Sequence, residues 1–181
     1  PGDDTTVAAV HIMPRTTTRV MVGPASSPDM DAKQVRDLIL TSGKKVVCGG
    51  TTSKIVAREL GQKIDVELKY YDEEVPPTAH IEGIDLVTEG ILTLSAAEKR
   101  MKEYLDEYED NVRKKEILDL DKKDGATKLV RLLVEECTDV VFMMGQANNP
   151  AHQNLDAPVS LNIKVRIVQN IATMLEKLGK I

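Results

Sequence analysis

The chain has 181 residues, 41% of them hydrophobic, and a formal net charge of -5 at pH 7. This length and composition predict one soluble globular domain, with room for a small appended segment. The acidic balance argues against a nucleic-acid binder, because phosphate backbones are held mainly by clustered Lys and Arg. The sequence has no long apolar run and no charged-then-apolar leader, so we expect neither a membrane partner nor a signal peptide.

Cys48 and Cys137 are the two cysteines of the chain. Each closes an apolar stretch, which is typical of a buried free thiol and not of a disulfide framework. We therefore expect a protein of the reducing cytoplasm.

The first residues have a different pattern from the rest. Residues 7–12 are apolar enough for a strand but have no start signal and no preceding element. A polar linker follows at residues 14–18. We therefore expect residues 1–18 to be the remnant of the last strand of an upstream domain, and residues 19–181 to form one α/β domain.

From residue 19 onward, short apolar stretches alternate with helical patterns. Strands are predicted at residues 20–22, 46–48, 66–70, 84–87 and 140–144, with residues 66–70 at a sheet edge because polar and apolar residues alternate there. This alternation of strands and helices predicts a three-layer, Rossmann-like α/β fold with a mostly parallel sheet. The strand order cannot be read from the pattern.

The helix boundaries are predicted from capping residues. The expected caps are Asp29 or Asp31, then Thr51, Thr52 and Ser53 for a helix over residues 54–60, a capping box of Ser95 and Glu98, then Asp124 and Ser160. Gly61 is expected to end the helix over residues 54–60.

The turn at residues 49–53 carries the functional prediction. Gly49 and Gly50 let the backbone turn sharply between strand and helix. The first N–H groups of a helix have no partner inside it and lie at its positive end, so such a turn can hold an anion. A tight connection that binds nothing explains the same residues equally well.

Parallel strands place all their carboxyl ends at one edge of the sheet, where ligands of open α/β folds bind. The loops there would be residues 23–28, 49–53, 88–90 and 145–154. We expect a pocket for an anionic or nucleotide-like molecule lined by Gly49, Gly50, Thr51, Thr52, Ser53 and Glu89, with Asn149 and His152 from the opposite loop. His152 could be a catalytic base, or it could simply order its own loop through a backbone hydrogen bond.

Asp3 and Asp4 stand at the head of the first predicted strand. Adjacent carboxylates are the oxygen ligands that a hard divalent cation requires, and a turn explains the pair equally well.

Residues 2–10, Gly-Asp-Asp-Thr-Thr-Val-Ala-Ala-Val, resemble the last metal-binding motif of the PPM-type, metal-dependent protein serine/threonine phosphatases, in the branch related to the sporulation phosphatase SpoIIE. Residues 45–53, 81–90 and 149–154 resemble the C-terminal region that follows the phosphatase domain in bacterial SpoIIE-family proteins. The resemblance spans nearly the whole chain.

The resemblance implies a parent phosphatase in which two manganese or magnesium ions activate a water that attacks a phosphoserine or phosphothreonine of a phosphoprotein substrate. Asp3 matches the final metal-binding aspartate of that family. The earlier aspartate motifs are absent from this sequence. We therefore expect this chain alone not to dephosphorylate proteins.

Three functions are open at this point. The first is a regulatory or sensory domain that binds a small anionic ligand or a partner protein and tunes an upstream phosphatase domain. The second is an enzyme acting on a phosphorylated metabolite, with Glu89 or His152 as acid or base. The third is a dimerisation module that forms a homodimer.

Overall fold

The computed structural model describes residues 6–8, 10, 12, 14–110, 122–145 and 157–181. These residues contain six strands and five α-helices. The strands are β1 (Thr17–Val22), β2 (Lys45–Cys48), β3 (Asp65–Val66), β4 (Ala79–His80), β5 (Leu86–Thr88) and β6 (Asp139–Met144). The helices are α1 (Asp31–Ile39), α2 (Gly50–Leu60), α3 (Ile91–Asp110), α4 (Gly125–Glu135) and α5 (Ala157–Lys177), and a 3₁₀ turn (Pro28–Met30) precedes α1.

All six strands form one sheet in the order β3-β4-β5-β2-β1-β6. Strands β5, β2, β1 and β6 are parallel, and the short pair β3 and β4 continues the sheet in antiparallel fashion. Val20 of β1 lies opposite Val46 of β2 on one side and Phe142 of β6 on the other. The predicted mostly parallel, Rossmann-like sheet is confirmed.

Helices cover both faces of this sheet. Val20 and Val22 join a core cluster with Leu94, Leu129 and Ile171, which come from α3, α4 and α5. Met21 points to the other face and packs in a second cluster with residues of α1 and α2 such as Val35, Leu38 and Val56. Because neighbouring residues of a strand face opposite sides, burial on both faces requires continuous apolar strands.

The predicted strands agree best at β1, β2 and β6. The strands at residues 20–22, 46–48 and 140–144 are confirmed and begin one to three residues earlier, whereas the strand predicted at residues 84–87 lies at Leu86–Thr88. The prediction for residues 66–70 was right about the edge and wrong about the length, since β3 has two residues. Strand β4 was missed.

The strand predicted at residues 7–12 is not found at the positions that the structure describes. Val7, Val10 and Ile12 lie outside any strand, with 86%, 88% and 88% of their surface exposed. A strand needs a hydrogen-bonded neighbour, and no strand of the described residues pairs with this segment.

Four of the five predicted helix caps are wrong and one is right. Neither Asp29 nor Asp31 caps α1, because its N-cap residue is Met30 and no side chain caps it. Helix α2 begins at Gly50, α3 at Ile91 and α5 at Ala157, so the residues expected to cap them, including Ser95 and Ser160, are inside the helices in sequence. Asp124 does cap α4, where its carboxylate accepts hydrogen bonds from Ala126 N and Thr127 N. Gly61 ends α2 as expected, in the left-handed region at φ +63°.

Asp124 is also part of a buried ion-pair network between α3 and α4. Its carboxylate, with a side chain 2% exposed, pairs with the guanidinium of Arg100, which is 13% exposed. Arg100 also donates to Asp72 (2.7 Å) and to the hydroxyl of Thr127 (2.8 Å). The network ties the loop before β4 to the start of α4.

Among the helices of the described residues, none combines the length and apolar character that a membrane crossing requires.

Candidate functional site

The carboxyl ends of the four parallel strands meet at one edge of the sheet, as predicted. They are Val22, Cys48, Thr88 and Met144, followed along the chain by Gly23, Gly49, Glu89 and Gly145. The turn after β2 is joined directly to the end of β5, because Gly49 N donates to Thr88 O (3.0 Å). The predicted residues Gly49 and Glu89 therefore lie at neighbouring strand ends.

Gly49 makes the sharp turn from β2 into α2. Its φ of +123° lies in a region that L side chains rarely adopt, and an added Cβ would come within 3.0 Å of the Thr52 hydroxyl. Gly49 O accepts the first hydrogen bond of the helix, from Ser53 N (2.8 Å). The helix therefore starts at Gly50, four residues before the predicted start.

This early start changes the roles of the three hydroxyl residues. Thr52 and Ser53 are buried, and the Ser53 hydroxyl donates to Gly50 O (2.9 Å) inside the first turn. Neither hydroxyl acts as an N-cap, since the N-cap residue is Gly49 and no side chain caps the helix. Thr51 is exposed at the second position of the helix.

The start of α2 therefore offers backbone donors to solvent. Ser53 is the first residue whose N–H is bonded back to the turn, and in the described part of the chain no side chain accepts from the N–H groups of Gly50, Thr51 or Thr52. Gly50 is exposed, and no atom lies within 4 Å of the position where its Cβ would be. Unpaired N–H groups at a positive helix end attract anions.

Glu89 lies at this edge but has a structural partner. Its carboxylate accepts from Leu92 N (3.1 Å) and so caps the start of α3.

The thiol of Cys48 lies beside Glu89, and both burial and the negative charge of Glu89 raise its pKa. Burial raises the pKa of Cys48 to about 11, even though a hydrogen bond with Thr88 lowers it in part. Cys48 is therefore a protonated thiol at neutral pH.

The strand order places the topological switch point one strand further along. The chain runs from β1 to β2 to β5 on one side and returns to β6 on the other side of β1. The general rule for open α/β sheets puts the ligand crevice there, between β1 and β6. The strand order could not be read from the sequence pattern, so this point could not be located before the structure was known.

The base of that crevice is closed by backbone. Gly145 N donates to Val22 O (2.8 Å), and a Cβ on Gly145 would lie 2.0 Å from Pro24 O. Beside it is a cavity of about 250 Å³, and its lining includes Ser26, Lys33 and Gln34. Ser26 belongs to the loop at residues 23–28 that was expected at this edge. Lys33 and Gln34 were not predicted, because a lone Lys or Gln on a helix has no distinguishing pattern.

The remaining predicted site residues, Asn149, His152 and the metal ligand Asp3, lie outside the described residues. Within the described ranges, no group of three or more His, Cys, Asp or Glu side chains could hold a metal ion. The described residues alone therefore do not supply the ligands of a two-metal centre.

Comparisons with protein-family models, with curated proteins and with solved structures found no match to this chain. The fold defines the class as an open α/β sheet whose parallel strands end in glycine-containing turns.

Proposed function

We propose that this chain is a regulatory or sensory α/β domain that binds a small anionic ligand at the start of α2. We further propose that it serves a metal-dependent protein serine/threonine phosphatase of the SpoIIE kind. The observation that carries the binding proposal is the uncapped helix start, where Gly50 and Thr51 are exposed and Gly49 bends the chain at φ +123°.

The segments that carry the family resemblance support one shared site. Residues 45–53 contain β2 and residues 81–90 contain β5, and these strands pair in parallel. Lys45 and Asp85 are bonded twice, from Lys45 N to the Asp85 carboxylate (2.8 Å) and from Asp85 N to Lys45 O (2.9 Å). At the other end, Gly90 approaches Gly49 so closely that its Cβ would lie 3.6 Å from Gly49 Cα.

Binding is favoured over turnover by the state of the reactive groups. The Ser53 hydroxyl is bonded to Gly50 O, the Cys48 thiol is protonated because its pKa is about 11, and the Glu89 carboxylate caps α3. Nucleophilic catalysis requires a nucleophile within hydrogen-bond reach of a base. The described residues of the turn supply donors for an anion and no such pair.

The test is the binding of inorganic phosphate, measured by thermal shift and by isothermal titration calorimetry. We expect phosphate to raise the melting temperature of the wild-type chain. Thr51→Asp puts a carboxylate where the anion would lie, so phosphate should no longer shift the melting temperature. The same variant should itself melt about 1–3 °C higher, because an acidic residue in the first turn stabilises a helix.

Thr51→Asn is the matched control, since it has nearly the same shape as Thr51→Asp but no charge. We expect its response to phosphate to equal that of the wild type. If Thr51→Asp responds to phosphate as strongly as the wild type, the anion binds elsewhere. If the wild type does not respond to phosphate or to nucleotides, the ligand proposal is wrong.

The phosphatase part of the proposal has a separate test. A phosphopeptide incubated with this chain and manganese should stay phosphorylated, because only one of the family's metal ligands, Asp3, has a counterpart in the sequence. Manganese-dependent release of phosphate by the purified chain would contradict the assignment as a non-catalytic domain.

A further inference from the structure

The edge of the sheet at β3 carries an exposed apolar row. Val66, Leu68 and Tyr70 have 60%, 89% and 65% of their surface exposed. Strand β3 itself ends at Val66, and Leu68 and Tyr70 follow it along the chain. In an extended chain, residues at this spacing share one face. An open edge with apolar side chains is a template for another strand, and natural proteins usually cover or charge such an edge.

The opposite edge of the sheet, at β6, is partly covered by the chain itself. Along β6, Val140 N donates to Ile181 O (2.8 Å) and Ile181 N donates to Thr138 O (3.1 Å), so the chain itself covers the start of that strand. At the β3 edge, no strand of the described residues lies outside β3. The two edges therefore differ in whether the chain supplies its own cover.

The hydrogen bonds to β4 show which backbone groups remain free for a partner. Asp65 lies opposite His80, and Glu67 N donates to Thr78 O (2.9 Å). Neighbouring residues of an antiparallel strand direct their N–H and C=O groups to opposite sides. The backbone groups of Val66 therefore face away from β4. A partner strand that continues the edge beyond Val66 would bond the groups of Leu68 in the same way.

The sequence of this edge is self-complementary about one residue. We propose that a second copy of the chain pairs with it in antiparallel fashion, with the two-fold axis at Leu68. Leu68 then lies opposite its own counterpart, and Val66 lies opposite Tyr70 of the partner subunit. On the other face, Glu67 lies opposite Lys69 of the partner subunit, and the same pair recurs across the axis. Opposite charges directly across from each other stabilise a strand pair.

The neighbouring registers place like charges opposite each other. An axis at Glu67 or Lys69 would put two like charges opposite each other, and an axis at Val66 would put Asp65 opposite Glu67 of the partner subunit. The axis at Leu68 satisfies the charges and the direction of the free backbone groups together.

The charged face of the edge is already held in place. The Thr78 hydroxyl donates to the Glu67 carboxylate (2.8 Å), and Lys69 Nζ lies 4.9 Å from the centre of the Tyr71 ring.

The proposed dimer is expected to be weak. One strand pair buries less than the roughly 1,200–2,000 Å² of a standard protein interface, so its dissociation constant should be in the micromolar range or above.

The first experiment is sedimentation equilibrium of the 181-residue chain from low micromolar to near-millimolar concentration. We expect a reversible monomer–dimer equilibrium. Leu68→Lys puts two like charges at the axis and should weaken the dimer at least tenfold, while the melting temperature stays unchanged because Leu68 is 89% exposed. Leu40→Lys is the control, since Leu40 is 71% exposed on another surface, and it should dimerise as the wild type does.

The second experiment tests the register by exchanging charges. Lys69→Glu makes both charged positions acidic, and Glu67→Lys makes both basic, so each variant alone should sediment as a monomer. Mixed together they should form a heterodimer, because every facing pair is then opposite in charge. A wild type that stays monomeric throughout, or a Leu68→Lys variant that dimerises like the wild type, would overturn the proposal.

Discussion

Asp124 should be one of the most costly single residues to remove, because it serves two structures at once. Its carboxylate caps α4 through Ala126 N and Thr127 N, both at 3.0 Å, and it pairs with the guanidinium of Arg100. Losing an N-cap costs about 1 kcal/mol of unfolding free energy. Breaking a buried ion pair on one side costs about 3–5 kcal/mol.

The second figure is too large here, because Arg100 keeps its bond to Asp72 (2.7 Å) after Asp124 is gone. We therefore assign roughly 2 kcal/mol to the lost pair. Asp124→Ala should lose about 3 kcal/mol in total, and Asp124→Asn, which retains an oxygen for the cap, about 2 kcal/mol.

The assay is urea unfolding monitored by far-ultraviolet circular dichroism, because the chain has no Trp whose fluorescence could report unfolding. Burial alone would raise the pKa of Asp124, but the bonds from Thr127 and Arg100 outweigh it and lower that pKa. A lowered carboxylate pKa stabilises the fold above the unfolded value near pH 4, and this contribution is lost as pH falls further. The gap between wild type and Asp124→Asn should therefore shrink below about pH 4. An Asp124→Ala cost under about 0.5 kcal/mol would refute this reasoning.

Two further predictions concern the carboxyl edge of the sheet. Gly145→Ala should lower the free energy of unfolding by about 2 kcal/mol or more, because its Cβ would lie 2.0 Å from the backbone oxygen of Pro24. Gly50→Ala has open space around its Cβ and should be neutral or slightly stabilising. Urea unfolding of the two variants measures this difference, and equal effects would contradict it. Cys48 should react slowly with iodoacetamide at pH 8 in the native chain and quickly in urea, because burial raises the pKa of its thiol to about 11. Rapid labelling of the native thiol would contradict this burial.

Strands β1, β2 and β6 could be predicted because the pattern that marks them is local. The apolar runs of β1, β2 and β6 are bounded by Gly or polar residues, so composition alone marks them. Those of β1 and β2 are also buried on both faces of the sheet. Strands β3 and β4 have two residues each and exist because they pair with each other and with β5. Such pairing is a tertiary effect that no local pattern records.

The candidate site could be located but not built from the sequence. Parallel strands place Gly49 and Glu89 at one edge, and this followed from the strand pattern alone. The wrong capping roles of Thr52 and Ser53 arose because hydroxyl residues favour both caps and first turns, and only the positive φ of Gly49 decides where α2 starts. The pairing of Arg100 with Asp124 joins two helices and has no sequence signal.

The two proposed surfaces lie at opposite ends of the same helix. Helix α2 starts at the candidate anion site and ends at Leu60, shortly before the β3 edge begins at Asp65. A helix of 11 residues is about 16 Å long, at 1.5 Å of rise per residue. Substitutions that far apart without shared partners usually have additive effects. Thr51→Asp should therefore leave dimerisation unchanged and Leu68→Lys should leave phosphate binding unchanged, so the failure of either proposal says nothing about the other.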